Sequence, residues 1–459
     1  MNNNGRLTRA TLAKKIKSGE AKVAVYGLGH VGSPLSAVWL RAGAHVIGVD
    51  KSPLVLENAR KGRTHIPEPG VNEAFKLGLK EKRFSVYEDP VRASRDSRFK
   101  LICVPVLAFG GSSADLAAVK DVASAIGNGL KPGDTVSLNP SVPPGTSEDV
   151  VVPILENASG LKVENDFYML YNPERIYEGR AIEDIEQRYP AVVAGAGPNS
   201  ASMGTIFYSL VSKKGVLTVS SMRTAETEKL LEGVYRDVNI ALANEMAKFC
   251  ERIGVDFWEA RDAANSQPFC HIHRPGAGVG GACIPVYPQF ILYAADMLKV
   301  DCNITRLSRN VNDSMPAYVV EQAAKMLDGK DNLAGATVTL LGLAFRGGVS
   351  DTRLSPTYKV IEELKKIKVK HIRVHDPLVT NDRDLPSDVL LTSDLADAVK
   401  GADLVILIAD HPEYRNLDST KLGDAAVYDG RGILDPSKFG LRFGSIGRGQ
   451  STRTALSRG

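Results

Sequence analysis

The sequence has little that would suit a membrane-spanning, secreted or nucleic-acid-binding protein. Its 459 residues contain no apolar run near the roughly 20 residues that span a bilayer, and the first residues are too polar for a secretory signal peptide. Five cysteines, an odd number without the spacing of a zinc site, are more typical of a reducing compartment than of a disulfide framework. A formal net charge of +4 is too small to indicate a nucleic-acid partner. We therefore expect a cytoplasmic protein with neither a nucleic-acid nor a membrane partner.

A glycine-rich motif near the N-terminus has the order of a dinucleotide-binding turn. An apolar run of strand length, Lys22–Tyr26, leads into Gly27, Gly29 and Gly32, and a helical pattern follows. In such turns the first glycine permits the bend, the second lets the backbone approach a pyrophosphate, and the third allows close packing of helix on strand. A second strand ends at Asp50, where a carboxylate accepts ribose hydroxyls and repels a 2′-phosphate, so NAD is favoured over NADP. The residues that we expect to contact NAD are Gly27, Gly29, His30, Val31, Gly32, Asp50, Val104 and Pro105.

Alternating strand and helix patterns continue to about residue 220 and resume near residue 330. The first series includes short apolar strands at Leu101–Pro105, Thr135–Leu138 and Ala191–Ala194, which predict a doubly wound domain. The second series begins at Ala336–Gly342 and lacks a complete glycine triplet, so we expect its sheet to bind a ligand other than NAD. Between the series, a helical pattern runs from Thr224 to Arg252. The predicted fold class is α/β, with two Rossmann-like doubly wound domains joined by a long central helix.

One cysteine stands in a segment that neither a helix nor a strand would tolerate. Cys283 lies within Pro275–Val286, which contains four glycines and two prolines. This composition predicts a tight loop that exposes the thiol and lets a ligand approach the backbone. An exposed thiol beside a dinucleotide fold indicates oxidation through a covalent sulfur adduct. The alternative is a buried cysteine used for packing, which is the usual fate of a free thiol.

With these segments placed, the chain resembles the UDP-sugar 6-dehydrogenases from about residue 20 to 435. Besides the cysteine loop, the motifs that carry the resemblance are Val142–Thr146, Asn172–Arg175, Arg309–Asp313, Leu341–Arg346 and Asp351–Pro356. Arginine at 175 and the tetrapeptide Cys-Ile-Pro-Val at 283–286 are similar to the branch that oxidises UDP-N-acetylmannosamine or UDP-N-acetylglucosamine. UDP-glucose dehydrogenase, the sister branch, is the alternative.

The resemblance suggests five segments and a cytoplasmic homodimer, or higher homo-oligomer, built through the central helix. The predicted segments are an N-terminal helical extension (1–20), an NAD-binding Rossmann domain (21–220), a central helical dimerisation domain with the cysteine loop (221–329), a C-terminal UDP-sugar-binding Rossmann-like domain (330–443) and a flexible tail (444–459).

The resemblance also implies a reaction, the four-electron oxidation of the sugar C6 alcohol to a carboxylate with two NAD per sugar. Cys283 would attack the intermediate aldehyde, and the thiohemiacetal would become a thioester that water hydrolyses. Lys229 corresponds to the lysine that stabilises the oxyanion, Glu174 to the acid–base carboxylate, and Ser141 to the residue that holds an ordered water. The residues expected to bind the substrate are Glu178, Arg274, Gly276, Gly278, Gly280, Gly281, Arg346 and Arg353. The glycines among them would donate backbone N–H groups to the nucleotide.

The chain departs from the family pattern around the cysteine. Tyr287 stands where the family has aspartate, Gly233 where it has asparagine, and Ala282 where this branch often has histidine. A tyrosine beside Gly233 would fill the volume that the glycine leaves. Two alternatives therefore stay open: an enzyme of altered chemistry, which stops at the aldehyde or takes another nucleotide sugar, and a non-catalytic homologue that binds UDP-sugar.

For two further features, a structural role is the alternative to a functional role. Arg353 could pair with Asp351 instead of contacting the phosphates or the sugar. Cys270, His271 and His273 carry atoms that can ligate metals, but the chemistry implied by the resemblance needs no metal, and we expect none to be bound there.

Overall fold

The structure is a computed structural model that describes residues 7–109, 113–439 and 442–449. The chain divides into two compact units, Met1–Leu231 with Gln289–Leu298, and Glu232–Pro288 with Lys299–Gly459. The division falls inside the long central helix, whereas the predicted boundaries place that whole helix in a segment of its own. The five predicted segments remain predictions.

An eight-stranded sheet organises the first unit. Its strands are β1 (Val23–Tyr26), β2 (Val46–Val49), β3 (Phe84–Tyr87), β4 (Phe99–Ile102), β7 (Thr135–Leu138), β8 (Tyr168–Tyr171), β9 (Ala191–Gly195) and β10 (Val216–Thr218), while β5 (Leu107–Phe109) and β6 (Ser113–Asp115) form a separate antiparallel pair. The order across the sheet is β10-β9-β8-β7-β4-β1-β2-β3, and β8 pairs antiparallel with β9. The run from β3 to β8 follows the 3-2-1-4-5-6 order of dinucleotide-binding sheets.

Helices cover the sheet of the first unit. They are α1 (Arg9–Lys17), α2 (Gly32–Arg41), α3 (Pro53–Arg60), α4 (Val71–Lys80), α5 (Pro90–Asp96), α6 (Ala117–Gly127), α7 (Val152–Ser159), α8 (Ala181–Glu183) and α9 (Pro198–Tyr208), with π-helical turns at Ser147–Val151 and Asp184–Arg188. Every residue of β1, β2, β4 and β7 is buried, as expected for parallel strands that are covered on both faces.

Two sequence expectations in the first unit need refinement. The strand expected at Leu101–Pro105 is β4, which ends at Ile102, so Val104 and Pro105 lie beyond the carboxyl end of the sheet. The expected N-terminal extension contains α1, whose Leu12 and Ile16 are buried in the core of the first unit. This helix is therefore packed onto the NAD-type fold.

The second unit contains a six-stranded, all-parallel sheet. Its strands are β11 (Thr337–Leu341), β12 (His371–His375), β13 (Leu390–Thr392), β14 (Leu404–Leu407), β15 (Ala426–Asp429) and β16 (Phe443–Ser445), in the order β13-β12-β11-β14-β15-β16. The helices of this part of the chain are α11 (Phe257–Ala264), α13 (Asn303–Asp313), α14 (Met315–Lys325), α15 (Lys330–Gly335), α16 (Pro356–Lys366) and α17 (Leu395–Val399), with 3₁₀ turns at Pro412–Asn416, Ser419–Leu422 and Pro436–Lys438. The strand order is again that of a Rossmann sheet.

Two helices contain residues of both units, α10 (Met222–Ile253) and α12 (Tyr287–Leu298). Helix α10 is 32 residues long and is the central helix expected from the sequence. Together with the two largely parallel sheets it confirms the predicted fold class. Among the described residues, no helix is both long and apolar enough to cross a membrane.

The start of the expected flexible tail was wrong. Gly444 and Ser445 belong to β16, and the segment after them is held by side chains of the same unit. The indole N–H of Trp258 donates to the Ile446 carbonyl at 2.9 Å, and Arg448 pairs with Asp256 at 3.0 Å. A serine- and glycine-rich composition gives no sign of these distant partners. The rest of the expected tail, 450–459, lies outside the described residues.

Candidate active site

The turn between β1 and α2 has the conformation that a pyrophosphate site needs. Gly27 has a φ of +93°, in the left-handed region that favours glycine. A side chain at Gly32 would overlap the Gly27 carbonyl, so this glycine lets α2 begin close against the strand. At Gly29, in contrast, no heavy atom lies within 4 Å of the Cβ position. Gly27 thus makes the bend, Gly32 allows the close packing, and Gly29 leaves the backbone open.

Asp50 follows β2 and directs its carboxylate at this turn. One oxygen accepts the Leu28 N–H at 2.8 Å, and the other accepts the Ser52 N–H at 2.9 Å. A carboxylate has about four acceptor sites, and Asp50 is partly exposed, so two ribose hydroxyls can still be accommodated. The N-cap residue of helix α2 is Val31, which makes no side-chain cap hydrogen bond, and this leaves a helix end suited to phosphate. These donors and acceptors fit NAD.

The other predicted cofactor residues border the same turn. Val104 and Pro105 leave the carboxyl end of β4, next to β1, and the Val104 nitrogen lies 3.1 Å from the Cβ position of Gly27. His30 lies beside Glu178, with 3.5 Å between Nε2 and Oε1. The fold therefore brings a predicted substrate residue, Glu178, to the predicted NAD turn.

Glu174 and Lys229 lie close enough in the first unit for Lys229 to act on the Glu174 carboxyl electrostatically. Glu174 lies just beyond β8, and the side chain of Lys229, on α10, is buried. Burial raises the pKa of the Glu174 carboxyl to about 7, although the positive charge of Lys229 acts in the opposite direction. A carboxyl with a pKa near 7 can take up and release a proton at neutral pH, as general acid–base catalysis requires.

The loop that carries Glu174 is held by two carboxylates that the sequence analysis missed. Glu68 accepts the N–H groups of Gly179 at 2.8 Å and Ala181 at 2.7 Å. Asp184 accepts the Tyr177 N–H at 2.8 Å. Glu68 lies more than a hundred residues away in sequence, and a carboxylate that caps so distant a loop has no local pattern. Only the fold reveals this support.

Ser141 lies just past β7 in a segment fixed at both ends. The Tyr171 hydroxyl donates to the Pro140 carbonyl at 3.1 Å, and the Glu226 carboxylate accepts the Gly145 N–H at 2.5 Å. Glu226 lies on α10, three residues before Lys229. The first turns of α10 therefore supply the predicted lysine and also support the segment with the predicted serine.

In the second unit, the Cys283 thiol is exposed, and the packing alternative is thereby contradicted. The Cys283 carbonyl accepts the N–H groups of Val286 at 3.1 Å and Tyr287 at 3.0 Å. The loop therefore passes directly into the first turn of α12. This arrangement presents the thiol at the end of the glycine-rich segment.

The glycines before Cys283 are required by close packing. Gly278 and Gly281 have φ values of +135° and +89°. A Cβ at Gly280 would lie 2.7 Å from the Leu354 carbonyl oxygen and 2.8 Å from the Phe345 Cβ. The loop thus rests on the segment that follows β11, where no larger residue fits.

The expectation that all of these glycines donate to a nucleotide needs correction at two positions. The Gly276 N–H donates to the Asn244 side chain at 2.9 Å, and the Gly281 N–H donates to the Arg353 carbonyl at 2.9 Å. Both groups are used to shape the loop. The prediction for Gly278 and Gly280 is unaffected.

Two of the predicted substrate arginines, Arg353 and Arg274, lie close to acidic residues of the second unit. Arg353 forms an ion pair with Asp351, with 2.9 Å from Nε to Oδ1, and keeps almost half of its side chain exposed. The structural alternative for this arginine is therefore realised, and it leaves the guanidinium accessible. Arg346 is partly buried and stacks near the ring of Phe345.

Arg274 belongs to a charged cluster that the sequence analysis recognised only in part. Burial by itself would raise the pKa of Asp410, but Arg431, a backbone N–H and Arg274 together hold it below its usual value. Arg431 lies 3.4 Å from Asp410, and its Nη1 is 2.7 Å from the Cβ position of Gly276. The sequence feature that could have identified Arg431 is its position between two glycines directly after β15.

The second sheet has an aspartate, Asp376, directly after β12, where the first sheet has Asp50 after β2. Asp376 is fully buried, and its oxygens accept the N–H groups of Leu343, Ala344, Leu378 and Val379. His411 lies 3.2 Å from the same carboxylate. No acceptor capacity is left for a ribose, which agrees with the expectation that this sheet binds a ligand other than NAD.

The two main departures from the family pattern touch each other. A Cβ at Gly233 would lie 2.9 Å from the Tyr287 Cβ and would overlap the tyrosine ring. Tyr287 is buried, so its ring fills the space beside the helix backbone at Gly233.

Comparison with known proteins places these features in one family. Three consecutive segments match the UDP-glucose/GDP-mannose dehydrogenase family: the NAD binding domain at 21–211, the central domain at 223–314 and the UDP binding domain at 339–436. The chain belongs to this family. It is an NAD-dependent dehydrogenase of UDP-sugars, so the predicted enzyme class and cofactor are confirmed.

Individual relatives of this UDP-sugar dehydrogenase align with it over nearly the whole length of both chains. A UDP-N-acetyl-D-mannosamine dehydrogenase of Pyrococcus horikoshii is 33% identical, over 93% of this chain and 99% of its own. An NDP-N-acetyl-D-galactosaminuronic acid dehydrogenase of Ralstonia solanacearum is 31% identical, over 90% and 96%. The solved structure of a UDP-glucose dehydrogenase from Pyrobaculum islandicum superposes with a TM-score of 0.86 at 30% identity, over 93% and 98%.

Proposed function

We propose that this enzyme oxidises the C6 alcohol of a UDP-N-acetylhexosamine, UDP-N-acetylmannosamine or UDP-N-acetylglucosamine, to the uronic acid. The observation that carries the proposal is the exposed thiol of Cys283 in its glycine loop. An aldehyde releases hydride only after a nucleophile has made its carbon tetrahedral, and a thiolate does this while keeping the intermediate bound. Relatives named for N-acetylated sugars support the substrate class.

The proposed chemistry assigns one task to each catalytic side chain. When bound, NAD accepts the hydrides that the two oxidations release. Glu174, whose pKa is about 7, takes the C6 hydroxyl proton through a water that Ser141 holds. The Cys283 thiolate then forms a C–S bond to the aldehyde carbon, and the ammonium group of Lys229 stabilises the oxyanion. The thioester left after the second oxidation loses its C–S bond when water adds, which frees the carboxylate and the thiol.

Binding of the two ligands is proposed on different sets of residues. NAD would lie along the glycine turn, with its ribose hydroxyls on Asp50 and its pyrophosphate at the start of α2. The residues proposed to bind the UDP-sugar are Glu178, Arg274, Gly278, Gly280, Arg346 and Arg353. Binding of a diphosphate is supported by the exposed guanidinium of Arg353 and by the two arginines around Asp410, Arg274 and Arg431.

The substrate class is tested by steady-state kinetics with purified enzyme and NAD. UDP-N-acetylmannosamine, UDP-N-acetylglucosamine, UDP-N-acetylgalactosamine and UDP-glucose are compared by kcat/KM. The proposal expects one of the first two to exceed UDP-glucose by at least about tenfold. A preference for UDP-glucose would assign the chain to the sister branch. Binding of UDP-sugar without turnover would favour the non-catalytic alternative.

We also propose that the enzyme is a homodimer built through α10. Tyr235, Leu242, Phe249 and Ile253 are each about half exposed, and their spacing places them along one face of this helix. An exposed apolar stripe on a 32-residue helix is typical of an interface, and a second copy of the chain presents the same stripe. A cytoplasmic location is proposed with it, supported by five unpaired cysteines.

A further inference from the structure

The ring of Tyr287 packs against helix α10 at Gly233 and fills the space that a side chain there would occupy. We call this space the notch. A Cβ built at Gly233 would meet the Cβ of Tyr287 at 2.9 Å and its Cγ at 3.1 Å, and would approach the ring Cδ2 more closely still. These atoms are near the backbone of the tyrosine and cannot swing away like the end of a flexible side chain. Only glycine at 233 allows the ring to lie against the helix in this position.

Tyr287 is also directly connected to the loop that carries Cys283. Tyr287 begins α12, and its N–H donates to the Cys283 carbonyl at 3.0 Å. The Val286 N–H donates to the same carbonyl at 3.1 Å. Because one turn of backbone joins the thiol residue to the ring, a shift of the ring would move Cys283.

The start of the loop is fixed on the same helix, about three turns beyond Gly233. Asn244 accepts the Gly276 N–H at 2.9 Å and donates to the Asn312 side chain at 2.9 Å. Asn312 in turn donates to Asp237, which pairs with Arg309. This chain of contacts is buried. The loop is thus held by α10 at both ends, by a polar network at Gly276 and by a steric fit at Tyr287.

We infer that Tyr287 is a positioning residue that fixes the Cys283 thiol through its fit against Gly233. The inference assigns this task to the ring, which packs against Gly233. The inference deepens the proposed function and rests on it for the catalytic importance of Cys283. The positioning itself can be measured without turnover.

The first readout is amide hydrogen exchange of peptides that cover residues 276–290. Gly233→Ala places a methyl group in the notch, and Tyr287→Ala empties it. We expect either change to speed exchange at the loop amides by about tenfold, because the bonds to the Cys283 carbonyl open more often. Tyr287→Phe keeps the ring and should exchange like the wild type. Gly335→Ala is the matched control, since Gly335 ends α15 with no heavy atom within 4 Å of its Cβ position.

The second readout separates positioning from binding and from stability. For Gly233→Ala, kcat should fall by on the order of a hundredfold while the Kd for UDP-sugar stays within about threefold, since the reacting atom is misplaced and the ligand contacts remain. The pH profile of kcat should keep its shape in Tyr287→Phe. The double variant Gly233→Ala/Tyr287→Gly should lose less activity than the sum of those two single changes, because the added methyl group no longer meets the ring or the Cβ of residue 287.

Three results would overturn the inference. Exchange in Gly233→Ala could match that in Gly335→Ala, Tyr287→Phe could be as damaging as Tyr287→Ala, or the two single changes could be additive. A wild-type chain that oxidises no UDP-sugar would instead contradict the proposed function and leave the exchange experiment interpretable. A variant that fails to fold is replaced by Tyr287→Leu, for which loop exchange between that of Phe and Ala is expected.

Discussion

At the scale of single residues, the environment of Glu174 determines its chemistry. The carboxyl lies just past a strand end, next to a buried lysine, and burial outweighs that lysine in setting its pKa. A carboxylate on an open surface would be ionised at neutral pH and would be a poor proton donor. The same burial has a cost in stability, because the folded protein must hold a group that prefers water once it ionises.

Replacing Glu174 should therefore stabilise the protein more at high pH than at low pH. The folded state keeps this proton to a pH of about 7, whereas the unfolded state loses it near 4.5, so stability falls as pH rises through that window. Relative to wild type, Glu174→Gln should gain on the order of 2 kcal/mol between pH 5 and pH 8. Thermal unfolding at both pH values measures this difference.

The control for this experiment is Glu57→Gln. Lys61 lowers the pKa of the exposed Glu57 carboxyl, so the shift has the opposite sign. Its removal should give no gain in stability as the pH rises. An equal change in melting temperature at both pH values for Glu174→Gln would contradict the account of the Glu174 environment.

At the scale of secondary-structure elements, α10 accepts a glycine in its middle for a packing reason. Glycine in a helix interior is less favourable than alanine by about 1 kcal/mol. At position 233 this loss is accepted because the Tyr287 ring occupies the space of the missing side chain. Propensity and packing therefore act in opposite directions at one residue.

The effect of Gly233→Ala on stability should consequently depend on residue 287. With Tyr287 present, overlap with the ring should destabilise the fold by about 1–3 kcal/mol, more than the gain in helix propensity. With Tyr287→Gly as background, which removes the Cβ as well as the ring, the same change should stabilise the protein by about 1 kcal/mol. Denaturant unfolding of the four variants tests the change of sign. Destabilisation in both backgrounds would show that another contact limits this site.

The elements themselves were largely predictable, whereas their supports were not. Strands such as Thr135–Leu138 and the helix around Thr224–Arg252 have local hydrophobic patterns, and the structure has both close to the expected bounds. Glu68 and Asp184 hold the Glu174 loop through hydrogen bonds to backbone N–H groups, which leave no periodic signal in the sequence. The exposure of Cys283 followed from its glycine-rich composition.

Some residues could be assigned a place but not a full set of contacts. The notch between Gly233 and Tyr287 was suggested only because both positions depart from the family pattern, and the distance between them is a property of the fold. The N–H groups of Gly276 and Gly281 were assigned to the nucleotide because composition does not reveal which carbonyls and amides of the protein lie nearby.

At the scale of the whole molecule, both sheets contain the same strand order. They differ in the residues at the carboxyl ends of their strands, where ligands bind. In the first sheet Asp50 keeps acceptor capacity, whereas in the second sheet Asp376 is fully used by backbone N–H groups and His411. One fold thereby serves as an NAD site and as a scaffold for a different ligand. The family assignment, an NAD binding domain followed by a UDP binding domain, agrees with this difference.

Assembly should depend on the apolar stripe of α10. A charge placed on this stripe, as in Leu242→Glu, would have to be buried without a partner in a dimer, so it should shift the protein toward monomer. Light scattering coupled to gel filtration measures the mass directly. Glu245→Lys, an exposed charge replaced by another on the same helix, is the control. A Leu242→Glu variant that keeps the wild-type mass would place the interface elsewhere.

The central claim, a four-electron oxidation through Cys283, is tested most directly by counting NADH against product. Wild type and Cys283→Ser are incubated with NAD and the preferred UDP-N-acetylhexosamine, NADH is measured by absorbance, and the sugar products are identified by mass spectrometry. We predict two NADH per uronic acid for wild type and no acid for Cys283→Ser. One NADH per sugar with an aldehyde product from the wild type, or full acid formation by Cys283→Ser, would contradict it.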